Sequence, residues 1–519
     1  MKELIHLSTL DIVVIATYII ILIAIAYWAS FGKRNKSDNL FTANKSLGWF
    51  SIGLTMWGTN VGPSMLIANA SSGYESGIVA GNFSWYAFPF ILLLAFVFAP
   101  RYLGAQVLTL PEYMGKRFGD KTRRYLAWYT IITILISWLG LTLFSGGVFM
   151  SQVLAIPLST SIIILVAISA SFVIAGGLKT IAYTNVFQML LLIGVSILLV
   201  VLAIVKVGGI SEIISSTPTG YWKMFQPLDD PNFPWLAIVI GYPIMGVWFW
   251  CTDQSMVQAV LGTKDLKNGQ MGANFVAWLK LIDIPLFIIP GILAFILLPH
   301  LTNSTNAYLK LVEAVFPSGL IGLVIVVMMA ALISTVGSAL NSLSAVFTMD
   351  IYIKQYKPDA TNKEITLIGR IVVLIGALLS IFLAIGITYI QGLSFFNIFQ
   401  SVLGFIAPPM SVAFLFAVLW KKTSHKAVNS VLTLGTVFSL GLGIAYYNKL
   451  IFSHLHFLYV SFFIFVFLAI YVFIYSLVDK DSASKITKID YQPIKVNLSV
   501  KIAWIVLIIL MIGLYLFFN

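Results

Sequence analysis

The chain has 519 residues, of which 60% are hydrophobic and only 10% are charged, and its formal net charge is +12. Soluble domains carry about 25% charged residues, so this composition excludes a soluble protein and predicts an all-α integral membrane protein. The single cysteine, Cys251, excludes a disulfide within the chain and a cysteine-based metal site.

Apolar segments long enough to span a bilayer recur along the whole chain. A helix needs about 20 apolar residues to cross the hydrocarbon core. On that criterion the sequence predicts fourteen transmembrane helices, near residues 10–30, 47–71, 82–104, 124–150, 158–176, 183–206, 234–259, 273–298, 318–345, 366–386, 394–420, 426–446, 456–478 and 499–518.

The basic residues are distributed unevenly between the two sides that these spans define. Segments after odd-numbered spans, with their flanks, contain 25 of the 31 Lys and Arg residues, and the opposite side contains five. The remaining one, Lys280, lies in the middle of the eighth span. The positive-inside rule then predicts a multi-pass protein of the cell membrane with both termini extracytoplasmic. The lipid bilayer is therefore a partner, and the basic charge does not indicate nucleic acid.

The second span contains helix-breaking residues at its centre, in the stretch "WGTNVGPSML" from Trp57 to Leu66. The seventh span has Gly241, Tyr242, Pro243 and Gly246 near its centre. Proline kinks are common in membrane helices, and that is the simpler interpretation of either one alone. Two interrupted helices five spans apart, however, indicate inverted repeats that each begin with a discontinuous helix.

This pattern predicts five regions along the chain. They are a first transmembrane helix with a cytoplasmic loop, a first five-helix repeat, an extracellular loop, a second five-helix repeat and three C-terminal transmembrane helices. Their predicted limits are 1–46, 47–206, 207–233, 234–420 and 421–519.

Unwound backbone in a membrane exposes carbonyl oxygens, which are suitable ligands for a small hard cation. The ninth span has hydroxyl groups that could complete such a site, at Ser334, Thr335, Ser338 and Ser342. Small hydroxylated residues also permit close helix packing, and for Ser338 and Ser342 we favour that role.

Six stretches in this order resemble the sodium:solute symporter family, in particular its sodium/glucose cotransporter branch. They are "SGYESGIVAGNFSWYAF", "LTLPEYMGKRFG", "AGGLKTIAYTNVFQ", "WFWCTDQSMVQ", "LNSLSAVFTMDIY" and "PPMSVAFLFAVLWKKT". The resemblance implies a LeuT-type five-plus-five inverted repeat and symport of a small solute with sodium as coupling ion. It implies no other cofactor, and we expect a functional monomer.

The resemblance also implies site residues. The sodium ligands would be the carbonyl oxygens of Gly58, Val61 and Ala331 and the hydroxyls of Ser334 and Thr335. The solute would contact positions in the second, third, seventh, eighth and eleventh spans, namely Met65, Ser84, Gly246, Phe249, Trp250, Lys280, Asp283 and Gln400.

Several positions depart from the pattern of the glucose branch. Ser84 stands where that branch has a carboxylate that binds sugar hydroxyls, and Met65 and Gly246 replace polar groups. Asn185 replaces an aspartate that some members use for a further cation, so we expect one sodium ion per cycle.

Lys280 and Asp283 are three residues apart in the eighth span and therefore lie on one helix face. They could form a purely structural ion pair, or Asp283 could supply the solute acceptor that Ser84 lacks. Asp253 and Asp350, near the cytoplasmic ends of their spans, are expected to form salt bridges at the membrane interface.

These observations favour a sodium-coupled symporter for a small neutral polar solute such as a sugar or polyol. The alternative is a symporter of the same family for an amino acid, carboxylate, nucleoside or sialic acid. Two further functional classes are possible alternatives: an ion channel, and a sensor built on a transporter core. An enzyme is not expected, because the sequence contains no nucleophile–base constellation and no nucleotide-binding loop.

Overall fold

A computed structural model describes residues 8–31, 41, 43–317, 319–387, 395–479 and 496–519. The described chain is helical, with two isolated β-bridges and no strand. The α-helices up to residue 215 are Thr9–Phe31, Trp49–Asn60, Pro63–Ser76, Asn82–Trp85, Phe88–Leu93, Ala99–Gly104, Leu110–Phe118, Asp120–Thr133, Thr142–Leu154, Leu158–Val207 and Ile210–Ser215.

The α-helices that follow are Trp235–Val247, Gln254–Leu261, Leu266–Asp283, Ile289–Leu297, Ala307–Val315, Ile321–Val346, Asn362–Ile387, Phe395–Leu419, His425–Ser430, Thr436–Tyr447, Phe457–Val478 and Leu498–Phe517. Many of these continue into one another through wider π-helical turns at Leu94–Phe98, Ile134–Leu141, Trp248–Thr252, Ile284–Ile288, Phe347–Tyr356 and Val431–Gly435. Short 3₁₀ segments occur at Ala43–Lys45, Gly77–Gly81, Thr219–Trp222 and Ser304–Asn306.

Eleven helices in the described residues are long and apolar enough to cross a membrane, compared with fourteen predicted spans. One difference arises because Leu158–Val207 contains two predicted spans, separated at Gly177. Gly177 has φ 58°, a backbone conformation that is open to glycine and strained for other residues. The other differences arise because the second span is broken and because the eleventh is described in full only over Leu403–Leu419. The number fourteen stays a prediction.

Burial separates a central helix from peripheral ones. In Ile321–Val346 every residue except Leu323 is buried, so the ninth span is surrounded by other helices. Thr9–Phe31 and Leu498–Phe517 instead expose large apolar side chains such as Ile20 and Ile509. An apolar helix with an exposed apolar face is suited to contact lipid, whereas one that is buried on all sides forms the core of the bundle. The candidate site lies beside that central helix.

Candidate functional site

The second span is broken where the sequence predicted. Helix Trp49–Asn60 ends, Val61 leaves the helical conformation, Gly62 is extended, and a new helix begins at Pro63. Proline fits at this first helical position, where its missing N–H would have no partner within the helix. We call residues 61 and 62 the first break. Because the helix ends here, the last carbonyl groups of its final turn are available to other partners.

Oxygen atoms from the first break and the ninth span lie close together. The Thr335 hydroxyl is 3.4 Å from the carbonyl oxygen of Gly58, 3.2 Å from that of Thr59 and 3.0 Å from that of Ala331. The Ser334 hydroxyl is buried and has no hydrogen-bond partner among the described residues. A Cβ atom on Gly58 would come within 2.9 Å of that hydroxyl, so glycine permits this close approach.

This arrangement fits a small hard cation. The structure brings Gly58, Ala331, Ser334 and Thr335 together, and Val61 lies buried in the adjoining break. Neutral carbonyl and hydroxyl oxygens are hard ligands, and a buried hydroxyl without a partner is costly unless something binds it. A bound sodium ion would use this orphaned oxygen and would need no carboxylate.

The seventh span is also broken, but the predicted position of its break is wrong. The helix runs through Gly241, Pro243 and Gly246, and the chain leaves the helical conformation at Asp253. Pro243 cannot donate to the carbonyl of Val239 four residues earlier. The hydroxyl of Tyr86 in the third span donates to that carbonyl at 3.2 Å, so the helix continues. We call Asp253 the second break.

The second break satisfies its own backbone donors. One oxygen of Asp253 accepts hydrogen bonds from the backbone N–H groups of Ser255 (2.8 Å) and Met256 (3.2 Å). Its other oxygen accepts from the indole N–H of Trp138 in the fourth span at 3.0 Å. The expectation that Asp253 forms an interfacial salt bridge is therefore corrected, because this carboxylate caps the helix Gln254–Leu261. Asp350 does pair with Arg123, at 2.6 Å, as expected.

A cavity of about 140 Å³ lies between the two breaks. Aromatic side chains form much of its wall, namely Phe83, Trp138, Tyr242, Trp248, Phe249 and Trp250. Its polar lining residues are Asn60, Asn69, Ser84, Thr142, Lys280 and Thr335. Thr335 belongs both to this wall and to the oxygen cluster, so the cavity and the candidate cation site are adjacent.

Some of the predicted solute residues line this cavity and others do not. Five of them line it: Met65, Ser84, Phe249, Trp250 and Lys280. Gly246 is not among the described lining residues, because it packs against Phe90, whose ring an added Cβ atom would overlap. Asp283 is not among them either, and the side chain of Gln400 lies outside the described part of the chain.

Lys280 and Asp283 lie in the middle of a chain of four hydrogen-bonded side chains, which the backbone between Trp57 and Asn60 closes into a ring. The Lys280 ammonium group pairs with one oxygen of Asp283 and donates to the amide oxygen of Asn60 at 2.8 Å. The other oxygen of Asp283 accepts from the indole N–H of Trp57 at 2.9 Å. Lys280 is 2% exposed and Asp283 fully buried, so the two charges neutralise each other away from water. We call Trp57, Asn60, Lys280 and Asp283 the four-residue ring.

Two comparisons with known proteins identify the family. A model of the sodium:solute symporter family matches residues 40–435. Sodium/glucose cotransporter 1 of Ovis aries is 32% identical over 456 residues, which cover 80% of this chain and 68% of the relative. Sodium/mannose cotransporter SLC5A10 of Bos taurus is 30% identical over 457 residues, which cover 81% and 76%. This chain belongs to the sodium:solute symporter family.

A solved structure supports the fold. The structure of a Na⁺-coupled sialic acid symporter matches with a TM-score of 0.78 and 21% identity, and the match covers 91% of this chain and 98% of that one. The symporter therefore has the all-α LeuT-type fold that the sequence implied. It is a multi-pass membrane transporter and not an enzyme, and sodium is its coupling ion. Its partners accordingly include sodium and a small solute.

Sequence reasoning missed several residues of the site. Asn60 is the acceptor for Lys280, and its position in the interrupted stretch could have suggested a role. Trp138 lines the cavity, packs with its ring centroid 5.4 Å from that of Phe249, and donates to Asp253. A tryptophan in an apolar span gives no signal in the sequence that separates it from a lipid-facing residue. Only the packing of the fourth span against the seventh reveals its place.

Proposed function

We propose that this symporter imports a small, neutral, polyhydroxylated solute, a sugar or polyol, together with one sodium ion. The observation that carries the proposal is the cavity: Lys280, the one cationic residue in its described lining, is already neutralised by Asp283. An anionic solute would be best recognised by an unpaired cation, whereas hydroxyl groups need neutral donors and acceptors with fixed geometry. Asn60, Asn69 and Ser84 supply such groups.

The size and the aromatic wall of the cavity support the same class of solute. An engineered cavity of about 150 Å³ holds a benzene-sized molecule, so 140 Å³ suits a solute built on one six-membered ring. Aromatic faces such as those of Trp250 and Phe249 suit the apolar C–H faces of such a ring. The similarity to cotransporters named for glucose and mannose supports this proposal as well.

We assign the sodium site to the carbonyl oxygens of Gly58, Val61 and Ala331 and the hydroxyls of Ser334 and Thr335. The orphaned hydroxyl of Ser334 and the contacts of Thr335 support this assignment. We further propose that the chain functions as a monomer in the cell membrane, with both termini extracytoplasmic and its two repeats at 47–206 and 234–420. The excess of basic residues on one side supports that orientation.

Uptake into proteoliposomes under an inward sodium gradient tests the proposal. The panel contains glucose, mannose, myo-inositol, glutamate, proline, uridine and sialic acid, and choline replaces sodium in the control. We expect sodium-dependent uptake of at least one neutral polyhydroxylated solute and competition among related ones. Sodium-dependent uptake restricted to anionic or zwitterionic solutes would exclude a sugar-like substrate while leaving sodium symport in place.

A further inference from the structure

We propose that Asp283 is a positioning residue that links the solute cavity to the backbone that binds sodium. This inference rests on the sodium site assigned above. It gives Asp283 a role different from direct contact with the solute, and it gives Trp57 a role that the sequence did not suggest.

The four-residue ring joins two helices through residues with the same spacing. Trp57 and Asn60 are three residues apart in helix Trp49–Asn60, and Lys280 and Asp283 are three residues apart in helix Leu266–Asp283. Trp57 bonds Asp283 and Asn60 bonds Lys280, so one turn of each helix is held at two points. A double attachment fixes both the distance and the rotation of the last turn before the first break.

Each attached residue directly precedes a carbonyl group of the proposed sodium site. Gly58 follows Trp57, and Val61 follows Asn60. Because φ and ψ are restrained within a helical turn, fixing Trp57 constrains the direction of the Gly58 carbonyl group, and fixing Asn60 constrains where the chain enters the break at Val61. Loss of the bond between Trp57 and Asp283 would free the final turn to rotate, and the sodium ligands would then lose their preset arrangement.

The same ring reaches the solute cavity through its other side. Lys280 lines the cavity and its ammonium group lies 5.9 Å from the centre of the Trp250 ring, whereas Asp283 is not among the described lining residues. The ammonium group has three N–H donors, and Asp283 and Asn60 accept from two of them, so the third can donate to a solute oxygen. The ring therefore contacts the solute on one side and holds the sodium-binding backbone on the other, and any coupling through it is reciprocal.

Trp57→Phe is the sharpest variant, because phenylalanine keeps an aromatic ring beside Phe287 and removes the indole N–H that bonds Asp283, together with the volume of the second indole ring. Trp85→Phe is the matched control. Trp85 is buried, and its indole N–H also donates to the eighth span, to the carbonyl oxygen of Leu281 at 3.2 Å. Neither Trp85 nor Leu281 belongs to the proposed sodium site.

The measurement is thermal stabilisation of the purified full chain by sodium chloride, with choline chloride at equal ionic strength and with no solute present. An ion that binds only the folded protein raises its stability in a concentration-dependent way. We expect Trp57→Phe to raise the sodium concentration for half-maximal stabilisation by about tenfold, since a hydrogen bond to a charged group is worth about that factor. Trp85→Phe should change it by less than about twofold.

Three results would overturn the link. The sodium midpoint is the sodium concentration for half-maximal stabilisation. If Trp57→Phe changes it by less than twofold while Ser334→Ala with Thr335→Ala raises it, the proposed sodium site is supported and the link through Asp283 is refuted. If neither change alters the midpoint, the proposed sodium site falls with the link. If Trp57→Phe and Trp85→Phe raise the midpoint equally, the effect is general loosening and not a specific attachment.

A second variant keeps the test decisive if Trp57→Phe does not fold. Replacing a buried ion pair by apolar residues of similar size usually preserves folding, so Lys280→Met combined with Asp283→Leu is suitable. The link predicts a raised sodium midpoint for this double variant in the absence of any solute. If the pair serves only as a solute ligand, the double variant retains the parental sodium midpoint and loses only uptake, which contradicts the proposal.

Discussion

The two breaks of this symporter differ in the helix end that each presents and in whether that end is capped. At the first break the helix Trp49–Asn60 presents its carbonyl end, which carries partial negative charge, to a cluster of neutral oxygens. At the second break the N–H end of Gln254–Leu261, which carries partial positive charge, is covered by the carboxylate of Asp253. The proposed sodium site thus lies at the break that has no carboxylate cap.

The difference indicates separate tasks for the two breaks. The first break has oxygens that a cation can use, and Thr335 connects them to the solute cavity. The second break is complete without a ligand, and through Trp138 it fixes one wall of the cavity beside Phe249. We therefore expect changes at the first break to alter sodium dependence, and changes at the second break to alter stability and cavity shape.

The largest effect is expected from Ser334→Ala combined with Thr335→Ala. This double variant removes two of the five proposed sodium ligands, which costs about 3 kcal/mol or more, or about 100-fold in sodium affinity. The measurement is the sodium concentration for half-maximal uptake. Ser342→Ala, a buried hydroxyl on the same helix, is the control and should change that concentration by less than about twofold. An unchanged sodium requirement in the double variant would show that the ion binds elsewhere.

The second prediction concerns the second break, where Asp253 caps the helix Gln254–Leu261. Asp253→Ala removes a helix cap and also leaves the buried indole N–H of Trp138 without its acceptor, so we expect a loss of about 2–3 kcal/mol in stability. Asp265→Ala is the matched control, because Asp265 caps helix Leu266–Asp283 in an exposed position and its loss should cost about 1 kcal/mol. Thermal unfolding of the purified variants compares them. Equal destabilisation would mean that the bond to Trp138 contributes nothing.

The third prediction concerns Gly246, where the sequence indicated solute contact and the structure has close packing. Gly246→Ala forces a methyl group into the ring of Phe90 and should cost about 1–2 kcal/mol in stability. Gly194→Ala is the control, because nothing lies within 4 Å of the added methyl group and alanine favours the helix. A Gly246→Ala variant with normal stability and a raised KM for solute would instead support the solute-contact interpretation.

These comparisons show which features a sequence can predict. The first break was predictable because glycine, asparagine and proline at the centre of an apolar span are local signals. The position of the second break was not, because the hydroxyl that compensates for Pro243 comes from Tyr86, far away in the chain. A local signal was overlooked at Asp253, since an aspartate whose side chain can accept from the N–H groups two and three residues later is a typical helix cap.

The four-residue ring shows the same limit. The spacing of Lys280 and Asp283 predicts that they share a helix face, and they do pair. Their bonds to Asn60 and Trp57 cross to a helix more than 200 residues away in sequence and depend on how two helices are rotated against each other. Periodicity within one helix contains no information about that rotation. The resemblance therefore suggested five residues that line the cavity, while the contacts of the ring residues are visible only in the structure.

The smallest effect is expected at Asn185, in the sixth span. Its neighbours one turn away face the second and ninth spans, because Met189 lies beside Gly58 and Ile181 lies nearest to Gly337. Asn185 is fully buried, and neither atom of its amide has a hydrogen-bond partner among the described residues. The side chain therefore lies near the sodium site without a bond that holds it there.

A neutral amide is a weaker cation ligand than a carboxylate, so we expect one sodium ion per cycle and a Hill coefficient near one for sodium. Asn185→Ala removes an unpartnered amide, whose burial is unfavourable, and this gain offsets part of the packing that is lost. The sodium concentration for half-maximal uptake should then change by less than about twofold. Sodium titrations of uptake in both proteins measure this. A Hill coefficient of two that falls to one in Asn185→Ala would show that a second ion binds at the amide and that the first break does not act alone.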